Sequence, residues 1–157
     1  MKIYSARTIK ALNLAYTAHQ GQLDKIGVPY IDHVLSVANS DLITNIQETI
    51  VALLHDILED TPTTVNDLKM AGFNAATIAA IQLLTKNKNE DYSAYIDRLI
   101  QSGNTLAIKV KLADLKHNLT PGRLMRLPYA IRKRLTDKYT GVRNLLEEVL
   151  WEETHGK

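Results

Sequence analysis

Three short segments concentrate side chains able to hold a cation: "PYIDH" with His33, "ALLHDILEDT" with His55, Asp56, Glu59 and Asp60, and "KVKLADLKHN" with Asp114 and Asn118. On a continuous helix, residues four apart share a face, which aligns His55 with Glu59, Asp56 with Asp60, and Asp114 with Asn118. Leucines and isoleucines flank the second and third groups, and burying ionisable side chains there without partners would cost on the order of several kcal/mol each. A divalent metal removes that cost economically, because neutral imidazole and carboxylate are both ligands for Mn²⁺, Fe²⁺ or Zn²⁺. Each residue also has a plain structural reading. His55 could be a satisfied core histidine, Asp114 could pair with Lys111, Asn118 could cap a helix, and His33 could face solvent. Their joint occurrence in segments expected on separate helices favours a shared site.

The elements that position these groups read as helices throughout. Ser5 caps a helix running to about Gln20, with Ile9, Leu12 and Tyr16 on one face. "GQLDKIGVP" is a loop, and Pro29 favours a helix from Tyr30 to about Ser40. Asn45 with Glu48 resembles a capping box and opens a broadly apolar, buried helix that ends before Pro62. A short helix starts after Thr63 or Thr64 and stops at Gly72, followed by an Ala-rich segment over 74–85. Helices over about 91–101 and 104–118 are separated by Gly103, "TPG" breaks the second, and the last helices occupy about 128–153. The predicted fold class is all-α, without repeats or a linker, so residues 1–157 are expected to form one domain.

Composition agrees with that expectation, since 157 residues at 45% hydrophobic and 23% charged suit one globular domain with a sizeable core. The absence of cysteine excludes disulfides, thiolate metal sites and cysteine nucleophiles, and fits a cytoplasmic setting. A formal charge of +2 argues for neither nucleic acid nor an anionic membrane. No signal peptide or membrane-length apolar run is visible.

The combined pattern "AHQGQ…K.G.PYIDH", "ALLHDILEDT" and "KVKLADLKHN" resembles the HD-domain metal-dependent phosphohydrolases, and more narrowly the hydrolase domain of the stringent-response synthetase/hydrolases and the stand-alone small alarmone hydrolases. The resemblance spans about residues 10–145 and implies a helical HD-domain bundle. It implies a metal, typically Mn²⁺, held by His33, His55, Asp56 and Asp114, with Glu59 and Asp60 orienting water or handling protons. It further implies that Lys25, Asn118, Lys138 and Tyr139 lie near a nucleotide, and that the substrate is ppGpp or pppGpp, hydrolysed at its 3′ position with release of pyrophosphate. A bound divalent ion would lower the pKa of water and supply hydroxide at neutral pH.

One departure qualifies the substrate. Many relatives carry an Arg-Lys pair where this chain has Asp24-Lys25, and an aspartate beside a polyphosphate is repulsive unless it points away. A different phosphorylated nucleotide or dinucleotide cofactor, or a non-catalytic nucleotide sensor, are the competing readings. No synthetase or regulatory region is visible, so degradation rather than synthesis is expected. A homo-oligomer is compatible with the sequence. The basic run from Arg123 to Arg143 reads either as a solvated helix face or as a steering field for a polyanion. Tyr92 and Tyr95 read either as a platform for stacking on a base or, more often at a spacing of three, as a packing face.

Overall fold

The computed structural model describes residues 5–156; residues 1–4 and 157, the ends of the expected 1–157 domain, lie outside the described residues. The helices are α1 (Ala6–Ala18), α2 (Tyr30–Ala38), α3 (Ile46–Leu54), α4 (Ile57–Asp60), α5 (Val65–Met70), α6 (Ala75–Leu83), α7 (Tyr92–Gln101), α8 (Thr105–Asn118), α9 (Pro121–Leu124) and α10 (Tyr129–His155). Apart from an isolated bridge between Leu23 and Pro29, the described residues contain no β-structure. The all-α expectation therefore holds.

Helix α3 is the hub and packs against α1, α2, α6 and α8. Its apolar residues Ile50, Val51, Ala52, Leu53 and Leu54 are all buried, which explains why it is hydrophobic around most of its circumference. Each such leucine or isoleucine contributes roughly 1.5–3 kcal/mol by leaving water. Helix α8 is the second buried rod, with Ile108, Val110, Leu112 and Leu115 in the same core and α10 laid along it. The ends of α2, α3 and α8 are thereby held together, and the candidate ligands sit there.

Capping follows the sequence closely. Ser5 forms a reciprocal capping box with Thr8 on α1, and Asn45 accepts from the Glu48 amide at 2.9 Å on α3. The Glu48 carboxylate turns instead to the Thr44 amide and to Lys109. Gly72 and Gly103 end their helices with φ of +88° and +64°, a conformation that favours residues without a Cβ.

Three expectations are corrected. The helix expected from Asn45 to Thr61 is interrupted at His55 and Asp56, separating α3 from α4. The cause is local: the His55 ring Nδ1 lies 2.7 Å from the Ala52 carbonyl, the acceptor that a continuing helix would offer to the Asp56 amide. Second, Pro121 does not merely break α8 but occupies the first turn of α9, where its missing N–H is harmless. Third, the segment from Tyr129 to His155 is one helix rather than several.

Candidate metal centre

Four side chains from α2, the α3–α4 break and α8 converge. One ligand atom from each of His33, His55, Asp56 and Asp114 lies within 4.8 Å of all the others. His33 Nε2 is 3.0 Å from Asp114 Oδ1, and His55 Nε2 is 2.8 Å from Asp56 Oδ2. The cross-distances, His33 to Asp56 and His55 to Asp114, are 3.7 and 3.8 Å. The break at Asp56 places His55 and Asp56 at the junction of the two helices, where both side chains reach the same centre.

The donor chemistry fits a divalent ion. Burial opposes a charge on His55, but Asp56 and Asp114 outweigh it and hold its pKa well above the ordinary value; with Nδ1 kept on the Ala52 carbonyl, Nε2 is the atom at which a metal ion would replace the proton. That buried Nε2 has no hydrogen-bond partner, and its 2.8 Å approach to Asp56 lacks hydrogen-bond direction. A lone pair facing two carboxylates is repulsive unless a proton or a metal cation lies between them. His33 is oriented in the same way, its Nδ1 lying 2.7 Å from His117 Nδ1. Burial first, then His33 and Arg123, pull the His117 pKa to about 4, so His117 stays neutral and can accept from His33. Supports of this kind fix the tautomer of metal-ligating histidines.

The carboxylates are held ionised. Burial pushes Asp56 up, but His55 outweighs it and holds the group at about 2. Burial also opposes ionisation of Asp114, yet Lys111 and the two histidines depress it well below the carboxylate range. Asp114 Oδ2 accepts from Lys111 Nζ at 2.8 Å and Oδ1 from Asn118 Nδ2 at 2.9 Å. The plain pairing of Asp114 with Lys111 thus coexists with its place in the cluster. Asn118 is the last residue of α8 and orients Asp114, while Leu119 occupies the cap position. Tyr30 donates to Asp56 Oδ2 at 2.6 Å.

Glu59 and Asp60 do not share one environment. Both residues are exposed, at the end of a helix expected to be largely buried, although the Asp60 carboxyl itself is partly enclosed. Glu59 Oε1 accepts the Lys86 amide at 2.7 Å and borders a small cavity that also touches Asp56. Asp60 borders a separate, larger cavity of about 280 Å³, along with Lys25, Asn118, Arg123 and Tyr139. Burial, followed by Asp56 and Glu59, pushes the Asp60 carboxyl up to about 6. Lys138 lies on the small cavity and Tyr139 lines both. All ten residues singled out in the sequence therefore surround one centre or its two cavities.

Asp24 lines the larger cavity, but its carboxylate is already engaged. Oδ1 accepts the Ile26 and Val28 amides at 2.9 and 3.1 Å, and Oδ2 accepts from Arg123 at 2.8 Å. Burial opposes these bonds, but together they hold its pKa below the ordinary value. The negative charge that reverses the usual Arg-Lys pattern is thus neutralised, and it braces the loop that carries Lys25.

Sequence reasoning missed Tyr30, His117, Lys111 and Arg123 as parts of the site. Tyr30 and His117 stood inside the quoted segments, so their proximity was available. The contact between Arg123 and Asp24 spans 99 residues and carried no local signal.

No family model matches the chain. Among curated proteins, the bifunctional (p)ppGpp synthase/hydrolase SpoT of Escherichia coli K12 is 33% identical over 127 residues, covering 71% of this chain and 18% of SpoT. The chain therefore spans less than a fifth of that bacterial relative. The guanosine-3′,5′-bis(diphosphate) 3′-pyrophosphohydrolase MESH1 of Danio rerio is 32% identical over 124 residues, covering 73% of this chain and 68% of MESH1. A solved structure of a metazoan SpoT ortholog superposes with a TM-score of 0.65 at 22% identity, covering 99% of both chains, which establishes the shared fold. With sequence identity extending over two thirds of MESH1 and an all-α fold to match, the chain belongs to the family of guanosine-3′,5′-bis(diphosphate) 3′-pyrophosphohydrolases.

Proposed function

We propose that the chain is a metal-dependent hydrolase of ppGpp and pppGpp, acting as a single HD-type domain in the cytoplasm with Mn²⁺ as the working ion. The observation that carries this reading is the convergence of His33, His55, Asp56 and Asp114, with His55 Nε2 facing two carboxylates, so that one ligand atom from each lies within 4.8 Å of the others. His33, His55, Asp56 and Asp114 would hold the ion, which when bound lowers the pKa of water and stabilises charge on phosphoryl oxygens. The names of SpoT and MESH1 supply the substrate by relationship.

The two cavities suggest how the substrate lies. The larger one combines Lys25 and Arg123 with the apolar Ile26, Leu127 and Leu135, a mixture suited to a nucleoside and its 5′-phosphates. The role assigned to Glu59, fixed by the Lys86 amide, is to take the proton from the attacking water. Water attacks the phosphorus attached to the ribose 3′-oxygen, the bond between them breaks, and the 3′-oxygen leaves. Asp60, on the nucleoside side, is assigned to return a proton to that oxygen. The products are GDP, or GTP from pppGpp, and pyrophosphate.

The test is hydrolysis of ppGpp by metal-stripped protein reloaded with Mn²⁺, with products identified and other phosphorylated nucleotides assayed in parallel. Pyrophosphate and GDP, formed only with metal, uphold the assignment. Turnover of another nucleotide with none of ppGpp would discard the substrate, and silence across the panel would favour a nucleotide sensor.

A further inference from the structure

We infer that the small cavity beside Asp56 is an oxyanion subsite for the outer phosphate of a 3′-diphosphate, built by Lys86, Lys138 and Tyr92 with Lys111 behind them. The inference rests on the substrate reading above and assigns where the diphosphate lies relative to the nucleoside. The cavity, about 130 Å³, shares only Tyr139 with the lining of the larger pocket.

Three ammonium groups border this space, and their local partners leave much of their charge unmatched. Lys86 Nζ donates to the carbonyls of Asn87 and Glu90 at 3.3 and 2.8 Å, which are dipoles rather than counter-ions. Lys138 Nζ sits over the rings of Tyr92 and Tyr139, at 4.3 and 5.5 Å from their centroids. Neither lysine has a carboxylate ion pair among the described residues. Only Lys111 does, through Asp114. Burial and then the cations Lys25, Lys111 and Lys86 depress the Lys138 pKa, the sign of mutual repulsion among positive groups.

Tyr92 adds the independent observation. Its hydroxyl is buried and has no hydrogen-bond partner. Burial, opposed by Lys111, pushes its pKa up to about 12, so the hydroxyl remains a donor at neutral pH. A buried donor among under-neutralised cations is satisfied by an acceptor anion. The two acids on the wall are already engaged: Asp56 Oδ2 with Tyr30 and His55, and Glu59 Oε1 with the Lys86 amide. A diphosphate whose inner phosphorus lies at the metal centre can then extend its outer phosphate here, while its ribose occupies the larger pocket.

The test is calorimetric titration of the full chain with inorganic pyrophosphate, and separately with GMP, at a fixed free Mn²⁺ concentration. Lys86→Met and Lys138→Met are each expected to weaken pyrophosphate binding roughly ten- to hundredfold, and Tyr92→Phe several-fold, with GMP affinity changed by less than about twofold. Lys138 is exposed, so its variant reads the subsite without threatening the fold. Pyrophosphate affinity unchanged in both lysine variants, or GMP affinity falling as far as that of pyrophosphate, would overturn the subsite. Wild-type protein that binds pyrophosphate through these lysines yet leaves ppGpp intact would uphold the subsite and overturn the substrate.

Discussion

Replacing Lys111 with methionine probes how the cluster is held before a metal arrives. The ammonium lies 2.8 Å from Asp114 Oδ2, with side-chain exposures of only 13% and 7%. At that separation and an effective dielectric constant of about 20, the Coulomb attraction is about 6 kcal/mol. Part of this is offset by desolvation of the lysine itself, and Asp114 retains Asn118 and His33 in the variant. The expected net loss in metal-free protein is therefore about 3–5 kcal/mol, the range for breaking a buried pair on one side. For a chain of 157 residues that lowers Tm by roughly 6–20 °C. Urea unfolding of the metal-free protein measures the loss. Pairing Lys111→Met with Asp114→Asn should recover about 2 kcal/mol or more relative to the sum of the single changes. A loss below about 1 kcal/mol, or strict additivity, would refute the view that Lys111 compensates Asp114.

Other outcomes follow from the same contacts. His117→Ala should weaken Mn²⁺ binding roughly 10–100-fold by freeing the His33 ring, with activity recovering at high metal; unchanged affinity in a metal titration would contradict its supporting role. Asp24→Ala should raise KM for ppGpp more than it lowers kcat, because it releases the loop bearing Lys25, and steady-state kinetics distinguishes the two effects. Burial opposes ionisation of Glu48, but Lys109 and Thr44 hold its folded-state pKa below the ordinary 4.5. Its stabilisation is therefore complete above that value and is lost as pH falls towards the folded pKa. Glu48→Gln should accordingly flatten the acid limb of a stability-against-pH curve, and an unaltered limb would show that the pair with Lys109 adds no linkage.

The His/Asp cluster and the helical class were legible because residue type and local spacing carry them. Apolar periodicity marks α3 and α8, and the imidazole and carboxylate side chains interrupt it where those helices meet. Periodicity could not reveal the break at His55, since a helix-compatible pattern runs through it; the break comes from a side chain competing for a backbone carbonyl. That break bears on the next residues too, because Glu59 and Asp60 sit on the short α4 and border different cavities. The meaning of Asp24 was equally hidden, as the charge alone signals repulsion of a polyphosphate. Only the fold brings Arg123 to it and turns it into a brace for the loop. The tyrosines three apart divided their roles: Tyr95 is buried and donates to the Leu84 carbonyl at 2.9 Å, whereas Tyr92 offers its hydroxyl without a partner.

The central claim, that one divalent ion held by His33, His55, Asp56 and Asp114 drives hydrolysis, is tested most directly by titrating Mn²⁺ into metal-free protein while recording bound ion by electron paramagnetic resonance and ppGpp turnover in the same samples. The account predicts that turnover rises in proportion to occupancy and breaks at one ion per chain, with both signals lost together in Asp114→Ala. Turnover without bound metal, or a bound ion that Asp114→Ala leaves in place, would contradict it.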